Sequence, residues 1–342
     1  MVEHRMDRRR VIAGGAGLLA GAVAGVPDWT GLPGGRVLAQ SVPASPGALE
    51  AWRQLAQLTS RAVQLGISVP RLSAHIDTAG GRDFTQIMPA TVELLRSLET
   101  AQPLRPVAPG EVSGLVDQAD DLLRRINQEE RNLPDPRPDG PGATTTTVRP
   151  SFESVKESYA KLFANCQVRE ANRSTVEWYM SQLVNGDNQK RWLAVAQEAC
   201  CPWYFVGIIH AMEASFNFRS HLHNGDSLKA RTVLIPSGRP KVWNPPNDWE
   251  TSAVDALAYD GFTNVTDWTL ERTLYRWEAY NGFRSRKNGI NTPYLWSFSN
   301  HYSKGKFVAD NVWDPNAVSK QCGAAVMLKV LVDRKLVRVP IA

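Results

Sequence analysis

Two carboxylates thirteen positions apart, Glu213 and Asp226, are the residues whose types and spacing first indicate chemistry. Glu213 lies in a segment where apolar residues recur at steps of four, three and four, which predicts a helix with an apolar face. A carboxyl on such a face is partly desolvated, and desolvation favours the protonated form that a general acid needs. A helix-borne acid followed by a loop-borne carboxylate is a layout suited to glycoside cleavage.

Asp226 belongs to a polar loop after the predicted helix, in which His223 and Asn224 are candidate substrate-binding residues. In an inverting glycosidase a second carboxylate activates water, at about 6.5–9.5 Å from the acid. Asp226 is the candidate for this role, because the glycine before it allows a chain reversal that would bring it across a cleft. The alternative is that Asp226 caps a turn with Asn224 or pairs with Arg231 or Arg239.

Two short motifs carry a family resemblance. Residues 213–217, EASFN, resemble the Glu-x-Ser segment of goose-type lysozymes and lytic transglycosylases. Residues 279–282, AYNG, are similar to the Ala-Tyr-Asn-x-Gly segment at the end of a later helix in the same superfamily. The resemblance covers about residues 155–332. The Gly-Leu-Met-Gln segment that usually follows the catalytic helix is replaced here by residues 221–240, HLHNGDSLKARTVLIPSGRP.

This resemblance implies a set of site residues. Glu213 would be the general acid, and Ser215 would be the motif serine, whose hydroxyl bonds the acid's carboxyl or a nearby backbone group. Tyr280 would place its phenol near Glu213, with Asn281 beside it in the substrate-binding set. Tyr302 is a further binding candidate, because aromatic rings stack on sugars. The alternative for the aromatic candidates is a place in the core, since tryptophan is heavily buried on average. The other aromatic candidates are Trp243, Trp249, Tyr294 and Trp296.

With the resemblance, these residues predict a muramidase that cleaves the β-1,4 bond after N-acetylmuramic acid in peptidoglycan. Hydrolysis with Asp226 is the favoured outcome. The alternative is a lytic transglycosylase, which manages with Glu213 as its single acid and forms 1,6-anhydromuramic ends. A cell-wall-binding protein that has a lysozyme-like fold without turnover also stays open, since a fold does not fix a function. Chitin or chitosan stays open as the substrate, and no cofactor or metal is predicted.

The start of the chain is typical of an export signal. Residues 8–10 are all arginine and precede an uncharged run, 11–26, and small residues before Gln40 predict cleavage there. Paired arginines indicate the twin-arginine route, and the alternative is a disordered basic tail. Because the run is short for a membrane span of about 20 residues, we expect contact with the membrane only during export. The mature protein is then predicted in the periplasm or outside the cell.

The remaining chain is long enough for two domains of about 150 residues. Residues 40–132 contain three amphipathic helical patterns and predict a small helical N-terminal domain, either a packing partner or a binding module. Residues 133–150 are rich in proline and threonine and predict a linker. Residues 151–342 are predicted to form the catalytic domain. The expected fold is mainly α, with a lysozyme-like α+β catalytic domain in which residues 231–235 form one strand of a small sheet.

Composition narrows the class of partner. Hydrophobic residues at 43% and charged residues at 21% are ordinary for a soluble globular protein, and the net charge of +5 is moderate. A nucleic-acid-binding protein would have denser clusters of lysine and arginine, so nucleic acid is not a predicted partner. The modest positive charge suits an anionic cell-wall polymer.

Four cysteines, all after the predicted linker, indicate two disulfides in a chain predicted to reach an oxidising compartment. Cys200 and Cys201 are adjacent and rarely pair with each other, so one is expected to join Cys166 and the other Cys322. Zinc binding with nearby histidines is the competing hypothesis, although no CxxC or HxxxH spacing supports it.

Overall fold

The computed structural model describes residues 46–69, 84–104, 106–108, 110–130, 149–234, 236–309 and 312–341. The predicted export signal and nearly all of the predicted linker lie outside the described residues. The described residues all belong to one compact unit, Val42–Ala342.

Helices dominate this part of the chain, so the mainly α expectation is confirmed. Three long helices come first: α1 (Pro46–Gln64), α2 (Phe84–Glu99) and α3 (Glu111–Glu130). The later helices are α4 (Phe152–Ala164), α5 (Arg173–Leu183), α6 (Gly186–Ala199), α7 (Trp203–Ala214), α8 (Trp249–Tyr259), α9 (Leu270–Asn281), α10 (Arg284–Lys287), α11 (Pro293–Trp296) and α12 (Ala324–Asp333).

The first three helices form as the amphipathic patterns predict, and they pack on one another through their apolar faces. Leu55, Ile87 and Leu123 are fully buried examples, one from each helix. The packing does not stop there, because α2 also contacts α5 and α3 contacts α7. The N-terminal helices therefore support the later helices directly.

Helix α7 lies at the centre of the later helices. From Tyr204 onward all of its residues are buried, as expected for a helix that is apolar on every side. It packs against α3, α5, α6 and α12. Gly207 allows the approach of α6, since a Cβ at this position would lie 2.9 Å from the ring of Trp192. Phe205 stacks on Trp277 of α9, with ring centroids 5.5 Å apart.

The prediction of a strand at residues 231–235 is wrong, because residues 231–234 form a loop. The main-chain N–H groups of Val233 and Leu234 bond a side-chain carboxylate rather than a neighbouring strand, and Val233 is 81% exposed. The sheet of the described part lies elsewhere. It pairs β1 (Lys306–Ala309) with β2 (Val312–Asp314) in antiparallel orientation, with Phe307 opposite Trp313.

The cysteines also differ from the expectation, because all four are free thiols and none lies at disulfide distance from another. Cys166 and Cys322 are buried in the core, Cys201 is half-buried, and Cys200 is exposed at the C-terminal cap of α6. Burial raises the pKa of Cys166 to about 11 and that of Cys201 to about 12. An even number of cysteines carries no information about the distances between them.

Among the described helices, none is by itself long and apolar enough to cross a membrane. Helices α6 and α7 meet that test only when taken together, and the chain bends by 115° between them.

Candidate functional site

Glu213 lies in the last turn of α7 and is 4% exposed. Its Oε1 accepts a hydrogen bond of 3.1 Å from the hydroxyl of Tyr294. Tyr294 belongs to the short helix α11, which begins at Pro293 and whose N-cap, Thr292, accepts a hydrogen bond from the Tyr294 N–H. A buried tyrosine on a separate element therefore fixes the orientation of the candidate acid.

The chain leaves α7 through two consecutive non-glycine residues in the left-handed region. Ser215 has φ of 49° and Phe216 has φ of 61°. Such residues cost on the order of 1–3 kcal/mol each and persist only where their surroundings hold them. Phe216 is held among the aromatic rings of Trp178, Tyr179 and Trp192. The turn after Glu213 is thus a constrained piece of backbone.

The Ser215 hydroxyl differs in its partner from what the family resemblance implies. It donates to Asn127 Oδ1 of helix α3 at 2.6 Å. The same amide group donates from Nδ2 to the main-chain carbonyl of Glu213. Gln321 completes the cluster, because its Nε2 donates to the carbonyl of Met212 at 2.8 Å. Side chains from distant parts of the chain therefore cap the end of α7.

A second contact between α3 and this turn is charged. Asn217 donates from Nδ2 to Asp120 Oδ1 at 2.7 Å, and Asp120 is fully buried. The Nε atoms of Arg124 and Arg219 each lie 3.6 Å from Asp120 Oδ2. Burial raises the pKa of Asp120, against the hydrogen bond from Asn217 and the two guanidinium groups. The residues after Glu213 are held by α3 at two points, two helical turns apart.

The polar loop after α7 folds back on the end of that helix. Gly225 has φ of +76°, and a Cβ there would lie 2.6 Å from the main-chain oxygen of Glu213. Only glycine fits this close approach. The loop is closed by hydrogen bonds from the Gly225 N–H to the His221 carbonyl and from the His221 N–H to the Asp226 carbonyl.

Asp226 anchors this loop, in keeping with the turn-capping alternative that the sequence left open. Its Oδ2 accepts hydrogen bonds from the N–H groups of Val233 at 2.7 Å and Leu234 at 2.8 Å, and from Asn224 Nδ2 at 3.1 Å. The expected partners Arg231 and Arg239 are bound elsewhere, Arg231 to the carbonyl of Pro240. A carboxylate oxygen that accepts three hydrogen bonds within its own loop is fixed there.

His223 and Asn224, the candidate binding residues of this loop, are both buried. Asn224 donates to Asp226 and to the Leu234 carbonyl. His223 Nε2 lies 2.8 Å from Asp255 Oδ2, and Asp255 Oδ1 accepts from Arg239. Burial lowers the pKa of His223 despite this partner. Both side chains are therefore held by internal contacts.

Tyr280 and Asn281 end helix α9, as the second motif predicts, and Gly282 follows with φ of 92°. The Tyr280 hydroxyl donates to the main-chain carbonyl of Leu222 at 2.8 Å. The phenol that donates to Glu213 thus comes from Tyr294, where the resemblance implied Tyr280. Asn281 is buried, and its Oδ1 accepts no hydrogen bond within the described part of the chain.

Tyr302 and the other predicted aromatic residues lie in the core rather than at a binding surface. The Tyr302 hydroxyl donates to the Gly305 carbonyl and accepts from the Ser319 N–H, both at 3.1 Å. The remaining members of that set are also buried: Trp243, Trp249, Tyr294 and Trp296. None of these five rings offers a face for sugar stacking.

The histidines of the loop are hydrogen-bonded within the protein. His221 contacts Ser252 Oγ through Nδ1 and the Ala230 carbonyl through Nε2. A carbonyl can only accept, so Nε2 carries the proton and Nδ1 accepts from Ser252. Among the described residues, no group of three or more His, Cys, Asp and Glu side chains is placed to hold a metal ion.

Asn127 and Gln321 are residues of this site that the sequence analysis missed, and Tyr294 was predicted there as an aromatic candidate for sugar stacking rather than as a partner of Glu213. A signal for Asn127 exists, because Asp120 and Asn127 are polar residues seven positions apart on the apolar face of α3. No local pattern in the sequence places Tyr294 beside Glu213.

Comparison with known proteins finds no matching family model. No curated protein matches the chain. No solved structure matches it.

Proposed function

We propose that this protein is a peptidoglycan-cleaving glycosidase that uses Glu213 as its general acid. The observation that carries the proposal is the pair formed by Glu213 and Tyr294, a carboxyl oriented by a phenol at the end of a buried helix. Glu213 occurs within the segment that resembles the Glu-x-Ser motif of goose-type lysozymes and lytic transglycosylases, and Tyr294 reaches it from α11. We extend the proposal to a lysozyme-like arrangement of residues 151–342.

In this role Glu213 gives its proton to the glycosidic oxygen as the C1–O bond breaks. Tyr294 holds the carboxyl in one orientation, so that little conformational freedom is lost when the sugar chain binds. After proton transfer, its hydroxyl stabilises the carboxylate through a charge-assisted hydrogen bond.

The proposed fate of the oxocarbenium ion rests on the contacts of two further carboxylates, Asp226 and Asp255. Asp226 accepts three hydrogen bonds from its own loop, and Asp255 is paired with His223 and Arg239. These contacts hold both carboxylates by internal hydrogen bonds, whereas inversion uses a carboxylate that binds the attacking water. The single-acid route therefore has more support than inverting hydrolysis. In that route the 6-hydroxyl of N-acetylmuramic acid attacks C1, its proton returns to Glu213, and a 1,6-anhydromuramic end forms.

A non-catalytic wall-binding role is the second candidate, and the 4% exposure of Glu213 is the observation that favours it. Binding would need no access of the sugar bond to the carboxyl. In either role we propose an exported protein whose partner is peptidoglycan or a related β-1,4-linked amino-sugar polymer.

Incubation of the full chain with purified peptidoglycan, followed by mass spectrometry of the soluble products, tests the proposal. We expect muropeptides with 1,6-anhydromuramic ends. Reducing muramic ends would instead indicate hydrolysis. Binding to the polymer without any soluble product would favour the second candidate. Parallel incubations with chitin and chitosan decide whether the muramic residue is required.

A further inference from the structure

Helix α3 presents two buried polar side chains to the end of the helix that carries Glu213. Asp120 and Asn127 are two helical turns apart and share one face. Asp120 accepts from Asn217, four residues beyond Glu213, whereas Asn127 contacts the main chain of Glu213 itself. Burial of an amide is unfavourable unless its groups are bonded, so the contacts of Asn127 are specific.

Both the nitrogen and the oxygen of the Asn127 side-chain amide form hydrogen bonds. Its Nδ2 donates to the Glu213 carbonyl, which is one of the last four carbonyls of α7. Its Oδ1 accepts from Ser215 Oγ at 2.6 Å and from Gln321 Nε2 at 3.3 Å. Gln321 in turn donates to the carbonyl of Met212. One side chain thus ties together the residues before and after the candidate acid.

Gly225 contacts the same carbonyl from the loop side. Both α3 and the polar loop therefore confine the main chain at Glu213. The left-handed conformation of Ser215 requires such support, and its hydroxyl bond to Asn127 supplies part of it.

We propose that Asn127 is a positioning residue that sets the place of the Glu213 carboxyl by holding its main chain. This inference rests on the proposed function and extends it, because it makes α3 a working part of the catalytic centre. A displacement of about 1 Å in a reacting group can cost about 100-fold in rate. Asn127 variants should therefore lose turnover far beyond any loss of folded protein.

The test compares Asn127→Ala and Asn127→Asp with a matched control, Asn188→Ala. Asn188 is also buried, and its Nδ2 donates to the Gln182 carbonyl near the end of α5 at 3.0 Å. At a temperature where all variants are folded, both Asn127 variants should lower kcat on peptidoglycan by about 100-fold. Their KM should stay within about twofold, as expected when substrate binding is unchanged. Asn188→Ala should keep the wild-type kcat.

A double variant adds a readout that a general loss of stability would not move. Ser215→Ala removes the Asn127 bond from the other side, so Asn127→Ala with Ser215→Ala should cost less than the sum of the two single losses. If Asn127→Ala fails to fold, Asn127→Asp and Ser215→Ala carry the test. A folded Asn127→Asp with wild-type kcat, or an equal loss in Asn188→Ala, overturns the proposal.

Amide hydrogen exchange separates this inference from the proposed function. The N–H groups of Ser215 and Phe216 bond the carbonyls of Ala211 and His210 at the end of α7. Their exchange should be faster in both Asn127 variants and unchanged in Asn188→Ala. If the wild-type protein cleaves no glycan, the proposed function fails, and this exchange alone decides whether Asn127 holds the turn. Unchanged exchange at both amides contradicts the inference whatever the activity.

Discussion

Tyr294 donates a hydrogen bond to Glu213 across 81 positions of the sequence, and both side chains are buried. A buried carboxyl needs a hydrogen-bonding partner, and a phenol meets this need without adding an opposite charge. In the proposed reaction the same hydroxyl fixes the orientation of the acid.

Replacing Tyr294 with Phe removes only this hydroxyl. Hydrogen bonds to charged groups are worth about 1.5–3 kcal/mol, so we expect kcat on peptidoglycan to fall by about 10- to 100-fold. Tyr159→Phe is the matched control, since its hydroxyl donates to Glu278, a buried carboxylate elsewhere in the protein, at 2.6 Å. Steady-state kinetics and urea unfolding of both variants separate catalysis from stability. Equal activity in the two variants would remove Tyr294 from the site.

Asp226→Asn tests whether this residue is a loop anchor or a catalytic base. If Asp226 only holds the Val233 and Leu234 N–H groups, the variant should lose about 1–3 kcal/mol of unfolding free energy and still cleave peptidoglycan. Unfolding in urea and product release below the melting temperature are the measurements. A loss of about 100-fold or more in a fully folded variant would return Asp226 to the inverting mechanism.

Gly225→Ala tests the close approach of the loop to Glu213. The added Cβ would lie 2.6 Å from the Glu213 carbonyl oxygen in a left-handed backbone. Gly238→Ala is the control, because Gly238 has φ of +72° with nothing within 4 Å of the added atom. Both variants carry the backbone strain, and only Gly225→Ala adds the clash. We expect Gly225→Ala to lose more than about 1 kcal/mol of unfolding free energy, and more than Gly238→Ala. Equal losses of unfolding free energy in the two variants would contradict the close approach of the loop to Glu213.

His210 should make the protein less stable in acid. Burial lowers its pKa from 6.5 to about 3, so the folded protein keeps this ring neutral while the unfolded chain binds a proton below pH 6.5. Stability is then full above pH 6.5 and falls by about 1.4 kcal/mol per pH unit as the pH drops towards about 3. His210→Leu removes this dependence, so urea unfolding between about pH 7 and pH 5 should show a smaller decline. An identical decline in both proteins would contradict the assignment.

The sequence predicts the helices of this protein better than it predicts the site. Helices α7 and α9 follow from apolar residues at helical spacing, and both motifs lie at the ends of these helices. The strand at residues 231–235 was wrong because β-branched composition reports local preference only. Here the backbone N–H groups of Val233 and Leu234 bond Asp226, which lies seven and eight residues before them.

The side chains that contact Glu213 could not be predicted from the sequence, for a different reason. Asn127 and Tyr294 lie 86 and 81 positions from Glu213, and both contacts are made by side chains packed between helices. Local periodicity contains no information about which helices meet. The sequence offers no means to distinguish Tyr280 from Tyr294, because the two residues are identical in type and the hydroxyl of Tyr294 reaches the carboxyl through the packing of α11 on α9 and α12.

The most direct test of the account is the activity of Glu213→Gln on purified peptidoglycan. The substitution keeps the shape and a hydrogen-bonding partner for Tyr294 but removes the transferable proton. General acid catalysis is worth about 10²–10⁴-fold, so release of muropeptides, measured by mass spectrometry, should fall by at least the lower of these factors while the protein stays folded and still binds the polymer. Release of muropeptides at the wild-type rate would contradict the assignment of Glu213 and of the whole site.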